Sequence, residues 1–394
     1  MPWRIVSALS ITHLISYGTL YYAFALLMEP MERDLGWSKT ALTAALSLAL
    51  VSSAFFAVPV GRLIDRGYGR AVMTGGSVMA ALLLVLWAFT ESYLAFVLIW
   101  LGLGAATSAL FYEAGFAVLA LNLGLLARRG ITIITLVAGF ASTVFIPLLH
   151  VLIDRYGWRD TLLAMAALNI GICAVLHASS IPAAPLESRH ADGTPKAVTS
   201  SSRPRRLLAK PAFWLFVTTN TLQGMISTGI SIHLIPICLE RGFSIDSAVA
   251  AYAVIGPVQV AARFLTGFGE QAMSLRGMGV ATMALSALAF LLLPFIPAGS
   301  WLILAFAALY GASNGMLTIV RALLPPELFG RENYGAVQGM IAMPVRITMA
   351  GAPFAFGALW AWWGNYDAVI ILCLLMALGS FIAFVLILAL AKEP

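Results

Sequence analysis

Thr40 to Gly61 reads TALTAALSLALVSSAFFAVPVG, and the chain then turns polar at once with Arg62-Leu63-Ile64-Asp65-Arg66-Gly67-Tyr68-Gly69-Arg70. The first part holds no Asp, Glu, Lys or Arg and has the length, about twenty residues, that a helix needs to cross the hydrocarbon of a bilayer. Ala71–Thr90, Pro211–Leu239 and Ala368–Ala391 are equally free of charge. Adding apolar stretches bounded by charged turns predicts helices near 5–29, 40–60, 71–90, 93–121, 131–153, 160–178, 211–239, 246–269, 277–296, 300–324, 333–361 and 366–391. The sum is an all-α membrane protein of twelve transmembrane helices. Alternating ten-residue segments, the mark of a membrane barrel, are absent from the sequence.

Composition agrees. Hydrophobic residues make up 61% of the chain and charged ones 10%, with a mean hydropathy of +0.94. A water-soluble domain carries roughly 25% charged residues, so the bilayer is the solvent implied. The net charge of +6 would in a soluble protein suggest nucleic acid, but here position matters more than the sum. Even-numbered connections and the two termini collect fifteen Lys and Arg, and the odd connections hold only Arg33, Lys39, Arg155, Arg159 and Arg241. Positive residues mark cytoplasmic loops, which places both termini inside the cell, as an even helix count requires. The polar stretch 179–210 divides the chain into a six-helix bundle at 1–178, a cytoplasmic linker, and a second bundle at 211–394.

Between the second and third helices, Gly61-Arg62-Leu63-Ile64-Asp65-Arg66-Gly67-Tyr68-Gly69-Arg70 resembles the major facilitator signature G-x-L-x-D-R-x-G-R-R/K. The resemblance implies a fold of two six-helix bundles around a central substrate path, and a gating role for Gly61, Asp65, Arg66, Gly69 and Arg70. The chemistry of the loop fits such a role. Glycines permit close approach and tight turning, and Asp65 can meet either arginines or a helix N-terminus. The corresponding loop of the second half, Arg263 to Glu270, is a degenerate copy, and Ala138-Gly139-Phe140-Ala141-Ser142-Thr143 lacks the drug-antiporter pattern G-P-x-x-G-G.

Tyr21-Tyr22-Ala23-Phe24-Ala25, Leu35-Gly36-Trp37-Ser38 and Tyr156-Gly157-Trp158-Arg159 resemble the monocarboxylate transporter and oxalate-formate antiporter branch. Two departures stand out: no lysine lies between Arg4 and Arg33, and Gln259 takes the place of an acid four residues before Arg263.

Charges at bilayer depth usually face a cavity or a partner. Arg263, Arg321 and Arg346 fall inside predicted spans, against the single interior carboxylate Glu113. That excess of positive charge suits a small organic anion, which the guanidinium fork can grip. Snorkelling or a structural pair is the other reading of Arg263 and Arg321. Glu113 is either a proton-titrating group or the partner of an arginine. His13, Tyr17 and Tyr21 share one face of the first helix, and Tyr310, Asn314, Thr318 and Arg321 share one face of the tenth. The resemblance turns both faces toward the central path, which makes Tyr17, Tyr21, His13 and Asn314 substrate candidates beside the arginines and His13 a second proton candidate. His13 is equally readable as a hydrogen-bonded interior histidine.

The expectation is a monomeric, proton-coupled carrier of a carboxylate in the cytoplasmic (inner) membrane, without metal, cofactor, nucleic-acid partner or enzymatic site. A drug or metabolite exporter and a transporter-like receptor remain alternatives.

Overall fold

The computed structural model of the chain describes residues 2–183, 204–268, 273–330 and 334–390. The polar stretch 184–203, most of the expected linker, and Glu270 lie outside the described residues. Every regular element described is helical: α1 (Pro2–Tyr17), a π-helical turn (Gly18–Tyr22), α2 (Ala23–Leu35), α3 (Lys39–Leu63), α4 (Gly69–Ala88), α5 (Tyr93–Leu110), α6 (Tyr112–Leu123), α7 (Ala127–Gly139), α8 (Ala141–Leu168), α9 (Val175–Ser180), α10 (Pro211–Glu240), α11 (Ile245–Phe268), α12 (Leu275–Leu292), α13 (Leu302–Phe329), α14 (Tyr334–Trp363) and α15 (Asp367–Leu390). Among the described residues, ten helical runs are long and apolar enough to cross a membrane. Two of these, Ala41–Ala88 and Ala127–Ser180, contain 48 and 54 residues. At about 1.5 Å per residue each would be more than twice as long as the hydrocarbon is thick. Each is interrupted at a glycine: Gly67 has φ 94° and Gly157 φ 81°, backbone that a side chain disfavours.

The chain forms two compact units, Met1–Ser202 with Arg331–Met343, and Arg203–Gly330 with Pro344–Pro394. Each has its own apolar core. In the first, Trp87, Phe96 and Trp100 pack edge to face with Leu27, Met31 and Leu84 around them. In the second, Phe290, Phe306, Tyr310 and Phe356 fill the centre.

The units repeat one another in their turns. Leu35-Gly36-Trp37-Ser38 bends at Gly36 (φ 67°), and the Ser38 hydroxyl accepts from Ala41 N at 3.2 Å to start α3. Arg241-Gly242-Phe243-Ser244 does the same at Gly242 (φ 81°), and Ser244 accepts from Ser247 N at 3.2 Å. A serine N-cap answers an amide that has no partner inside its helix. Beside each turn stands a clamp of opposite sense. Arg159, leading the sixth predicted span, bonds Asp34 at 3.0 Å and the Ala88 carbonyl at 2.8 Å. In the second unit the arginine has changed sides, and Arg241, just past the end of the seventh predicted span, bonds Asp367 at 3.3 Å and the Pro294 carbonyl at 2.5 Å. Each clamp ties the same three spans of its half, the first, third and sixth.

Helices come closest where glycine removes the side chain. Gly104 of α5 lies against the Ala49 backbone of α3, and Gly311 and Gly315 of α13 lie against the backbone of Ile255 and Gln259 in α11. In lipid, such small-residue seams allow the backbone contact that holds helices together. A Cβ at Gly315 would run into backbone, which cannot swing aside. Gly315→Val is therefore expected to cost on the order of 1–3 kcal/mol. A detergent melting curve checks it, and a melting temperature equal to wild type would show that the seam is not tight.

Candidate functional site

The signature loop is the most fully assembled feature. Asp65 is buried in the turn after α3, and its Oδ1 and Oδ2 accept from Gly335 N and Ala336 N, both at 2.7 Å. These amides belong to the first turn of α14, where a helix leaves its N–H groups without internal partners and concentrates positive dipole. Of the two partners the sequence allowed for Asp65, the helix N-terminus is therefore one it engages. Gly61 makes the approach possible, because a Cβ there would collide with the Gly335 carbonyl. Gly69 is similarly pressed against Val118. Arg66 and Arg70 are exposed.

In the same unit, the fourth predicted span is not the continuous helix expected over 93–121. It breaks at Phe111, whose backbone is extended (φ −87°, ψ −176°). The broken end starts a new helix, and Glu113 stands in its first turn, where a carboxylate meets the favourable end of the dipole. Aromatic rings gather at the break: Tyr17 stacks on Phe111 at 4.3 Å and meets Tyr112 at 4.8 Å. His13, fully buried, lies parallel to Tyr112 at 5.6 Å, and its Nδ1 is 2.8 Å from the Leu9 carbonyl. Tyr21 sits at the margin, 52% exposed and edge-on to Tyr17. The structure thus brings His13, Tyr17 and Glu113 to one place and leaves Tyr21 beside it.

Sequence reasoning missed His177. It is buried with both nitrogens engaged, by Ser77 Oγ at 2.9 Å and Thr12 Oγ1 at 3.0 Å. It joins the first, third and sixth predicted spans. A lone histidine inside an apolar run was the available signal.

In the second unit, Arg321 donates from Nε to Asn220 Oδ1 at 2.8 Å, which bridges α13 to α10. Arg263, 8% exposed, donates to Gln259 Oε1 at 3.2 Å and to Thr318 Oγ1 at 3.4 Å, bridging α11 to α13. Arg346 is half-buried on α14, two residues past Pro344. Carboxylates described in this unit stand at helix ends: Glu240, Asp246, Glu327 and Asp367. Three are already engaged, Glu327 with Arg276 at 2.8 Å, Asp367 with Arg241, and Glu240 with Trp360 Nε1 at 2.8 Å. The membrane interior of the unit is therefore positive.

One expectation needs correction. Tyr310 does not share the surroundings of Arg321, although both lie on one helical face. It is 4% exposed, stacked on Phe306 in the core, and bonded to Asn314 and Ser227. Gln223 is also structural, held between Ser380 Oγ at 2.6 Å and Ser286 Oγ at 3.1 Å. His233 donates from Nε2 to the Pro353 carbonyl at 3.0 Å, which leaves Nδ1 to accept from the Tyr366 hydroxyl at 2.9 Å. Among the described residues there is no group of three or more metal-ligating side chains.

The family model described as Major Facilitator Superfamily matches residues 9–280. The chain belongs to this superfamily. Mouse monocarboxylate transporter 11 is 29% identical to this facilitator over 411 residues, covering 96% of this chain and 86% of the relative. Among solved structures, the transporter FucP in its outward conformation superposes with a TM-score of 0.74 at 14% identity, covering 97% of this chain and 98% of that one. The human organic anion transporter MFSD10 gives 0.73 at 16%, covering 98% and 99%. At such identity the structural likeness speaks for the fold. The facilitator is a transporter related to monocarboxylate transporters and not an enzyme.

Proposed function

We propose that this facilitator is a secondary carrier that moves a small organic anion, a carboxylate, by alternating access coupled to protons. The observation that carries the reading is the positive membrane interior of the second unit, with Arg263, Arg321 and Arg346 in spans whose described carboxylates stand at the ends. Charge is expensive in lipid, and three arginines at depth are best explained by a cargo of opposite sign. The names of the curated relatives point to the same class.

Arg321, Arg346 and Arg263 bind the anion, with Tyr17, Tyr21 and Asn314 lining its path. Glu113 and His13 handle the proton, and Gly61, Asp65, Arg66, Gly69 and Arg70 gate. The glycine breaks at Gly67 and Gly157 support twelve spans, because each divides an overlong run into two. The excess of basic residues in the even connections supports a topology with both termini on the cytoplasmic side of the cytoplasmic (inner) membrane. The bundles are 1–178 and 211–394, joined by the linker 179–210, and the carrier works as a monomer.

Proteoliposomes with an inward proton gradient test the reading, using radiolabelled pyruvate and a panel of other carboxylates. Uptake is expected to exceed one equivalent per protein and to collapse when a protonophore removes the gradient. Retention fixed at one equivalent would identify a receptor instead, and uptake of amphipathic cations alone would identify an exporter of drugs.

A further inference from the structure

We infer that Nε2 of His13 is the proton-binding atom of this carrier, an inference that rests on the proton-coupled reading above. The assignment follows from which atom is left over. Nδ1 faces the Leu9 carbonyl, and a carbonyl oxygen only accepts, so the ring hydrogen sits on Nδ1 and Nε2 presents a bare lone pair. Nε2 is buried and meets no group in hydrogen-bond geometry among the described residues, and beside Leu9 the backbone that faces the ring is that of Phe111, a place where an added proton would be received. Buried polar atoms are normally paired, and His177, five spans away in sequence yet joined to the neighbouring Thr12, has both nitrogens engaged.

A lone pair takes a donor. It does not suit the carboxylate of a substrate, which is itself only an acceptor. His13 thereby leaves the list of anion contacts and keeps its place as a base. The groups that face it are the Leu9 carbonyl, the backbone at Phe111, the Tyr112 ring, the carboxylate of Glu113, the backbone of Gly115 and, from the sixth predicted span, His177. Glu113 is the one carboxylate among them, and when ionised its sign complements an imidazolium.

Gly115 makes the seat conformational. The ring edge carrying Cε1 and Nε2 lies so close to the Gly115 backbone that any Cβ there would overlap it. A proton added to Nε2 lies at that contact, so protonation is expected to loosen the packing of α1 on α6 at Gly115. Ligands shift a conformational equilibrium only when they bind its states unequally, and here the proton does.

The test uses the full-length chain with nitrogen-15 in its five histidines, in nanodiscs and without substrate. His13→Gln assigns the His13 signal, and His13→Asn does so if the first variant does not fold. As the pH is lowered stepwise from about 8 to the limit at which the protein stays folded, the signal is expected to pass from a ring with bare Nε2 to a doubly protonated one. Amide exchange across residues 111–115 is expected to rise with the same midpoint and to lose that pH dependence in the variant. A ring that stays neutral throughout, or exchange that titrates equally without His13, overturns the assignment. No substrate takes part, so a wrong cargo class would surface only in the liposome experiment and would leave this result standing.

Discussion

Arg321→Ala is expected to weaken binding of the transported anion by tens- to thousands-fold while the protein still folds. Removing one partner of a buried, hydrogen-bonded charge pair costs about 2–5 kcal/mol, which sets that range. Arg321→Lys keeps the charge but lacks the planar fork, and it should recover little of the loss. Asn220 sharpens the expectation. It holds the Nε edge of Arg321 at 2.8 Å and so fixes how the guanidinium is turned. Asn220→Ala keeps the positive charge and frees its orientation, so its affinity should fall between those of wild type and Arg321→Ala. Arg263 offers the contrast: it is bonded to Gln259 and Thr318 and nearly buried. Lysine there should be better tolerated if the residue supplies potential more than contact. Binding isotherms in detergent for each variant, beside melting curves, separate the two roles. Wild-type affinity in a folded Arg321→Ala protein would mean that the arginines only join helices.

Some of this was legible in the sequence and some was not, for physical reasons. Spans were legible because bilayer thickness converts directly into a run of apolar residues, as at Thr40–Gly61. The turns at Gly36 and Gly242 fall in the gaps between predicted spans, but their glycine bends and serine caps emerged only from the structure. The break at Phe111 was not legible. Ser108-Ala109-Leu110-Phe111-Tyr112-Glu113 contains neither Pro nor Gly, so local propensity gives no sign of an extended residue there. Helical spacing predicted that Tyr310 and Arg321 share a face, and it was silent on what stands opposite. Eleven residues is roughly 16 Å of helix, long enough for one end of a face to meet aromatic core and the other an asparagine. The arginines themselves could be picked out because charge in lipid is conspicuous. Their partners, Asn220, Gln259 and Thr318, are ordinary polar residues that only packing reveals.

Asp65→Ala is expected to leave anion affinity within a few-fold of wild type and to reduce turnover severely. Asp65 makes two bonds to amides of α14, each charge-assisted and at 2.7 Å, in a setting where water does not replace them. Hydrogen bonds to a charged group contribute about 1.5–3 kcal/mol each, and an exposed helix N-terminus adds to the deficit when the carboxylate is gone. A loss of about 2.8 kcal/mol shifts a two-state equilibrium by roughly a hundredfold, enough to empty one conformation of a transport cycle. Asparagine is a stricter probe than alanine. Asp65→Asn preserves shape and one acceptor oxygen but turns an N–H₂ donor toward an amide donor, so it should fail nearly as fully. Gly61→Val reaches the same end by another route, since a side chain there pushes the Gly335 backbone away without touching the charge. If the contact is a latch, all three variants will show faster amide exchange in residues 334–343 together with slow turnover and near-normal affinity. Equal losses of affinity and turnover would instead place Asp65 in the maintenance of the binding site, and the division between gate and cavity would fall.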